Sequence, residues 1–322
     1  MESSGQPQFG DWLNQLAKDA VAGVVGKGTR DFEKYVAGTL SSDVSIEKHR
    51  RQFKLEAGSV YRKNSFLRQG PRAVPVIGVQ RPIVAKIASN REELRAAFEL
   101  VARNYQAAGY EGSMSCKVRF TPYHALPDSV TFIAEHDGNV LMTMTLVPDN
   151  TLLGLPLESL FGEEVARLRR ARRRLAEVIS LAAHKDLDAR EFRPVFLAMS
   201  RLLFQYHLAY GGDTLVITVN PRHSKFYIKT MGYQPLGPCR PYEQVQGHPA
   251  EAYLLDVELA RLHAPKTYDK IFAEWVPGAA LVARPIPPHL VRYLSEEASE
   301  IAKERIRRTF DLDGYFSSPR RW

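Results

Sequence analysis

Four residues in the second half of the chain are of types, and at spacings, that can do chemistry. Glu177 stands alone among apolar residues in LAEVISLAA, residues 175–183. A carboxylate withdrawn from water keeps its proton to higher pH, which makes it a usable general base near neutrality. The other reading pairs it with one of the arginines just ahead, at 167, 169, 170, 172, 173 and 174. Asn220 opens the run NPRHSKFYIKTMGY, where Asn before Pro either caps a helix or bonds a ligand with the same side chain. His223 either contacts a substrate or is a bystander. Tyr227 lies about two helical turns past Asn220 and is either a proton donor or a core side chain. Cys116 and Cys239 are the only cysteines and form no CxxC pair, so neither a zinc site nor a disulfide framework is expected, and a reducing compartment fits.

The elements that must position these residues follow from periodicity. LAEVISLAA and TLVITVN are short, apolar and rich in β-branched residues, as buried strands are. Between them Val195, Phe196, Met199, Leu202, Leu203 and Tyr206 recur at helical spacing until Gly211-Gly212 stops the helix. Strand, helix and strand of this length imply a right-handed crossover and two parallel neighbours. Upstream, a strand over 83–88 leads through a cap at Ser89 or Asn90 into a helix. Its core stripe is Leu94, Phe98, Val101, Ala102 and Tyr105. Asp137-Gly138-Asn139 joins two strands as a hairpin, a short helix follows in 151–173, and two more strands fit 234–245 and 250–259.

The run NPRHSKFYIKTMGY, with Asn before the helix, Phe-Tyr inside it and Gly232-Tyr233 after it, resembles the second half of the GNAT acyltransferase fold. Together with AEVISLAA and the closing PAEAYLLDV, residues 81–261 look most like the bacterial N-acyl amino acid synthases, GNAT-type enzymes related to autoinducer synthases. The resemblance implies an α/β (α+β) fold: a GNAT-like mixed central sheet flanked by helices, with helical extensions at both ends. It also implies transfer of a long-chain fatty acyl group to the amino group of an amino acid. The donor would be an acyl-phosphopantetheine thioester, with no further cofactor and no metal. Backbone groups at Ile179 and Leu181 would hold the pantetheine, Asn220 and His223 would belong to the donor site, and Tyr227 would protonate the departing thiolate. Physically, parallel strands that splay leave unpaired N–H and C=O groups along Val178–Ala182 and Leu215–Asn220. An extended bis-amide can add there as a strand, and a backbone N–H can steady the oxyanion. Glu177 would then take the proton of the attacking amine.

One stretch departs from the GNAT pattern. Enzymes of that fold that use coenzyme A follow this strand with a glycine-rich pyrophosphate loop. Here AAHKDLDAREFRPVF has no glycine and carries Asp186, Asp188 and Glu191, which repel a diphosphate. A donor on acyl carrier protein needs no such loop. Arg169, Arg170 and Arg173 would dock that acidic partner, or else form a solvated helix face. The acceptor's carboxylate calls for a bidentate arginine, Arg119 or Arg103. Phe120, Tyr123, Met142 and Met144 either line an acyl channel or pack the core.

A net charge of +8 and a pI near 9.4 suit an acidic partner. Nucleic acid is not expected, because no recognition motif or aromatic platform accompanies the charge; peripheral contact with an anionic membrane stays open. No signal peptide or membrane span is legible, which points to the cytoplasm. Residues 1–80 read as an extension with an amphipathic helix (Phe9, Trp12, Leu13, Leu16, Ala20 and Val24 on one face), which docks on the domain or on a membrane or partner. Residues 262–322 read as an appendage whose last helix carries Leu290, Leu294, Ala298, Ile301 and Arg305 along one side. The rival readings are an autoinducer-type synthase or an acyltransferase for another amine, and a basic adaptor without activity.

Overall fold

The fold is built on one nine-stranded sheet whose strands run β1 (Val74–Pro75), β2 (Val84–Ile87), β3 (Val130–His136), β4 (Asn139–Pro148), β5 (Leu175–Ala183), β6 (Thr214–Val219), β7 (Gln234–Pro235), β8 (Arg240–Tyr242) and β9 (His248–Asp256). A computed structural model describes residues 70–110 and 116–310; the expected N-terminal amphipathic helix and the terminal SSPRRW lie outside them. The strand order is β1-β2-β3-β4-β5-β6-β9-β7, with β8 also on β9. β5 and β6 are parallel, as the crossover requires, and every other pair is antiparallel. Asp137 (φ +48°) and Gly138 (φ +77°) make the β3–β4 hairpin, whose left-handed pair matches the sheet's twist.

The helices are α1 (Arg91–Ala107), α2 (Glu158–Arg170), α3 (Ala189–Ala209), α4 (Ser224–Phe226), α5 (Ala260–His263), α6 (Pro265–Phe272), α7 (Pro288–Glu297) and α8 (Glu300–Phe310). Asn90 caps α1 by accepting from Glu93 N–H at 2.9 Å, while Glu93 accepts from Ser89 N–H at 2.7 Å. The two bonds satisfy a free amide of the first turn and the amide just ahead of the cap. The apolar stripe of α3 is buried from Val195 to Tyr206 against one face of the sheet, and that of α1 against the other.

Two expectations at the domain's margins change. β1 pairs with β2, and Val74 and Val76 are buried in the α3-side core, so the sheet begins ahead of residue 81. From 263 to 310 the chain belongs to the cores rather than lying on them. Tyr268, Ile271, Phe272 and Leu281 complete the α3 side; Leu290, Leu294, Ile306 and Phe310 complete a cluster with Phe98 and Phe120 on the α1 side. Both sheet faces need this cover, because helices bury only one stripe each.

The final helix is also not continuous. Ala298 is extended (ψ 175°) between α7 and α8, and Ser299 Oγ accepts from Ala302 N–H at 3.3 Å. That break turns Ile306 and Phe310 inward and leaves Ile301 and Arg305 exposed, off the stripe that periodicity assigned them. The helix expected after Asn220 is likewise composite: a 3-10 turn Pro221–His223, α4, then a π turn Tyr227–Met231. It ends at Gly232 (φ +80°), where a Cβ would come 2.9 Å from that of Ala264.

Candidate active site

β5 and β6 pair only as far as Glu177 with Val216. Beyond that point β5 continues to Ala183 and β6 to Val219 without pairing each other, so their facing edges splay. A cavity of about 1380 Å³ opens in the gap, lined by Glu177, Ile179, Leu181, Asn220, His223 and Tyr227 among others. The sequence thus brings its catalytic and donor-site candidates to one cavity. Met144, Phe196, Leu203, Phe204 and Ile217 give one flank an apolar wall; Arg119, Tyr123, His124 and residues of α8 line another. Of the apolar candidates, Tyr123 and Met144 line the cavity, while Phe120 and Met142 are buried in the core.

Glu177 is 2% exposed. Its Oε2 accepts from Leu157 N–H at 2.8 Å, and no described arginine pairs with it. Burial pushes its carboxyl up to about 8; the Leu157 bond opposes the rise, and Glu158 nearby adds to it. The sequence supplies the donor through the turn ahead of α2. Arg169 donates to Asp149 (2.8 Å) and Glu158 (2.8 Å), while Glu158 accepts from Leu155 N–H (2.6 Å). Arg169 therefore clamps the turn that presents Leu157 to Glu177.

That use of Arg169 corrects the docking assignment, and Arg173 departs from it further. The Arg173 side chain is 10% exposed and bonds Thr214 (2.7 Å), Asp256 (2.9 Å) and Asp213 (3.2 Å). It ties the start of β5 to β6 and the end of β9, so it cannot reach a partner. Only Arg170 of the three is exposed. All three also precede β5, whereas the splay lies past Glu177, toward the strand's carboxyl end. The cations that do line the cavity are Arg103, Lys185 and Arg222, with Arg119 and Arg305. Arg103 is exposed and 3.8 Å from Glu99; the Arg119 guanidinium lies 4.2 Å from the Tyr105 ring centroid.

On the β6 side, Asn220 Oδ1 accepts from Arg222 N–H at 3.1 Å, so it caps the turn while lining the cavity. Arg222 Nε donates to His223 Nε2 at 2.9 Å, which engages that ring nitrogen. Tyr227 stacks edge-on with Phe226 and Tyr233, and burial raises its phenol well above the usual range, so it stays protonated. It is a hydrogen-bond donor facing the same cavity as the buried carboxylate.

Sequence reasoning missed a pair formed by a β5 residue and the loop ahead of β3. Pairing to β4 shifts between Thr145↔Ile179 and Thr143↔Ala182, and Ser180 adopts φ +56° in this bulge. The extra residue carries Ser180 to the α1 face, where its Oγ lies 2.9 Å from His124 Nε2. His124 Nδ1 accepts from Thr121 N–H at 3.0 Å, which puts the ring proton on Nε2. Burial pushes this imidazole down to about 3, and Arg119 nearby lowers it further, so it is neutral. His124 therefore donates to Ser180 Oγ, leaving the Ser180 hydroxyl proton for a substrate oxygen in the cavity. The signal was a serine inside an apolar strand, three residues past the carboxylate.

The stretch without glycine also has a structural role. Asp188 Oδ1 accepts from Arg190 N–H (2.7 Å) and Glu191 N–H (2.8 Å), and Glu191 is held by Arg81 at 2.6 Å. The start of α3, where a pyrophosphate would sit in the GNAT layout, already has a carboxylate on its amides.

The sequence model of the N-acyl amino acid synthase FeeM family matches residues 96–256. Among solved structures, FeeM, an N-acyl amino acid synthase from uncultured soil microbes, is 29% identical over 57% of this chain and 95% of its own, with a TM-score of 0.51. The AHL synthase LasI is 18% identical over 61% and 98%, at 0.45. An N-acetyltransferase from Staphylococcus aureus Mu50 is 11% identical over 54% and 97%, at 0.36. No curated protein matches the chain.

Proposed function

This chain belongs to the N-acyl amino acid synthase FeeM family, and we propose that it moves a long-chain fatty acyl group from acyl carrier protein to the amino group of an amino acid. It is an acyltransferase of GNAT-like fold. The observation that carries the reading is the splayed β5–β6 gap with Glu177, raised to about 8, at its apex.

In this reading the pantetheine arm lies along the open edges past Glu177 and Val216, beside Ile179 and Leu181. The acyl chain follows the apolar flank between Met144 and α3. The acceptor enters from the α1 side; Glu177, ionised, first takes one proton from its ammonium, and the neutral amine nitrogen then attacks the thioester carbon. As the carbon–sulfur bond breaks, the second proton of the attacking nitrogen passes to the departing sulfur, which leaves as the free thiol, while the Tyr227 phenol, itself still protonated, steadies that sulfur with a hydrogen bond. That last help is modest, since a thiol of pKa near 8.5 already leaves readily. Carrier protein is favoured over coenzyme A because Asp188 occupies the α3 amides that a diphosphate would use. The rim cations Arg103, Lys185 and Arg222 suit an acidic carrier better than the arginine run before β5.

The test is transfer by the purified enzyme from palmitoyl-carrier protein and palmitoyl-coenzyme A, with each of the twenty amino acids, products read by mass spectrometry. An N-acyl amino acid formed faster from the carrier supports the reading. Equal rates from both donors overturn the carrier, and acylation of simple amines alone overturns the acceptor.

A further inference from the structure

The chain past residue 256, where the family match ends, contributes its own wall to the cavity: Ser299, Ile301, Ala302, Arg305 and Thr309, all on or just before α8. This wall is fixed in place. Ile306 is fully buried and Phe310 nearly so, in the cluster with Phe98 and Phe120. Glu297, at the end of α7, accepts from Lys117 N–H at 3.1 Å and bonds Arg95 at 2.9 Å. Arg305 therefore stands next to an anchored residue and on the wall of the cavity.

Among the described residues its charge is not spent on the protein. Elsewhere on α8, Lys303 and Arg307 meet Glu296, and Arg308 meets Glu304. Arg305 has no carboxylate partner among the described residues. Of the other cavity arginines, Arg103 lies 3.8 Å from Glu99, Arg119 lies over the Tyr105 ring, and Arg222 bonds Tyr110 and His223. Tyr123 relates Arg305 to the base. Burial is the main cause that raises this phenol; Glu177 and Glu158 add to the rise, and Arg305 opposes them. Tyr123, Glu177 and Arg305 all line the same cavity.

We infer that Arg305 holds the carboxylate of the acceptor, so that the zwitterion spans the site with its amine toward Glu177. This rests on the N-acyltransferase reading above and adds an anion site from outside the matched residues. A guanidinium gives a carboxylate two parallel N–H bonds. The inference excludes simple amines as preferred acceptors.

The experiment compares wild type, Arg305→Ala and Arg305→Lys with the best amino acid acceptor and with its α-amide. Loss of a charge-assisted pair should raise KM for the amino acid about 10–100-fold, with kcat nearly kept and KM for the amide unmoved. Arg305→Lys should fall between, because it keeps the charge without the fork. An unchanged KM for the amino acid overturns the inference, as does an equal rise for both acceptors. A variant that does not fold is replaced by Arg305→Gln, judged by the same two criteria. If wild type acylates neither acceptor, the functional reading fails separately. Calorimetric titration with the amino acid then decides, and equal affinity of wild type and Arg305→Ala overturns the inference.

Discussion

Glu177 accepts a stability cost in return for basicity, and both sides of that exchange can be measured. Glu177→Gln keeps the shape and the acceptor for Leu157 N–H but cannot take a proton. Turnover should fall by roughly 10²–10⁴-fold, the range for loss of a general base. In wild type, activity should rise as pH passes through about 8, where the carboxyl ionises; in the variant only the acceptor's own amine should shape the profile. The sign for stability is the reverse. A carboxyl raised from 4.5 to about 8 binds a proton in the folded state that the unfolded chain has released. Its contribution is fully present below the ordinary value and is lost as pH climbs through about 8. The melting temperature of the variant relative to wild type should therefore increase between pH 5 and pH 9. A constant difference across that range would sink the buried-base reading. Glu177 was legible in the sequence because a lone charge in an apolar strand stands out. The turn that restrains it was not, since Leu157 acts through its backbone, which any residue has.

At the scale of the element, β5 and its bulge hold most of the site. The strand, its parallel partner and the crossover helix follow from apolar periodicity, so they were legible. The bulge was not: Ser180 has a left-handed φ that no local glycine or asparagine announces, and it takes its place through His124, distant in sequence. The same limit applies to α8, where the break at Ala298 rotates Arg305 from an assumed core stripe to the cavity. Ser180→Ala tests the bulge. It leaves a buried His124 N–H without its acceptor, which should cost about 1–3 kcal/mol in denaturant unfolding. If the free hydroxyl proton also serves a substrate oxygen, kcat/KM should drop about 10–100-fold in protein that remains folded. A stability loss with full activity would leave Ser180 as a packing residue alone.

For the whole molecule the question is where an excess of eight positive charges meets a partner. Residue types suggested the arginine run before β5, because six arginines in eight positions form the densest local charge. The fold spends two of those charges internally: Arg169 secures the turn under Glu177, and Arg173 secures the base of the sheet. Lys185 and Arg222, sparse in sequence, come together at the cavity because it opens where β5 and β6 end. A carrier delivering its arm to that gap must approach this rim. Charge reversal at Lys185 should raise KM for acyl carrier protein about tenfold at low salt, since rim charges act mainly on encounter. The effect should shrink as ionic strength rises and the screening length falls. Transfer from a free acyl-pantetheine, which has no acidic surface, should be unaffected by Lys185→Glu. Arg170→Glu, exposed ahead of β5, should leave carrier kinetics unchanged. Steady-state kinetics across a salt series would check all four, and a larger effect from Arg170→Glu than from Lys185→Glu would return the docking face to the arginine run.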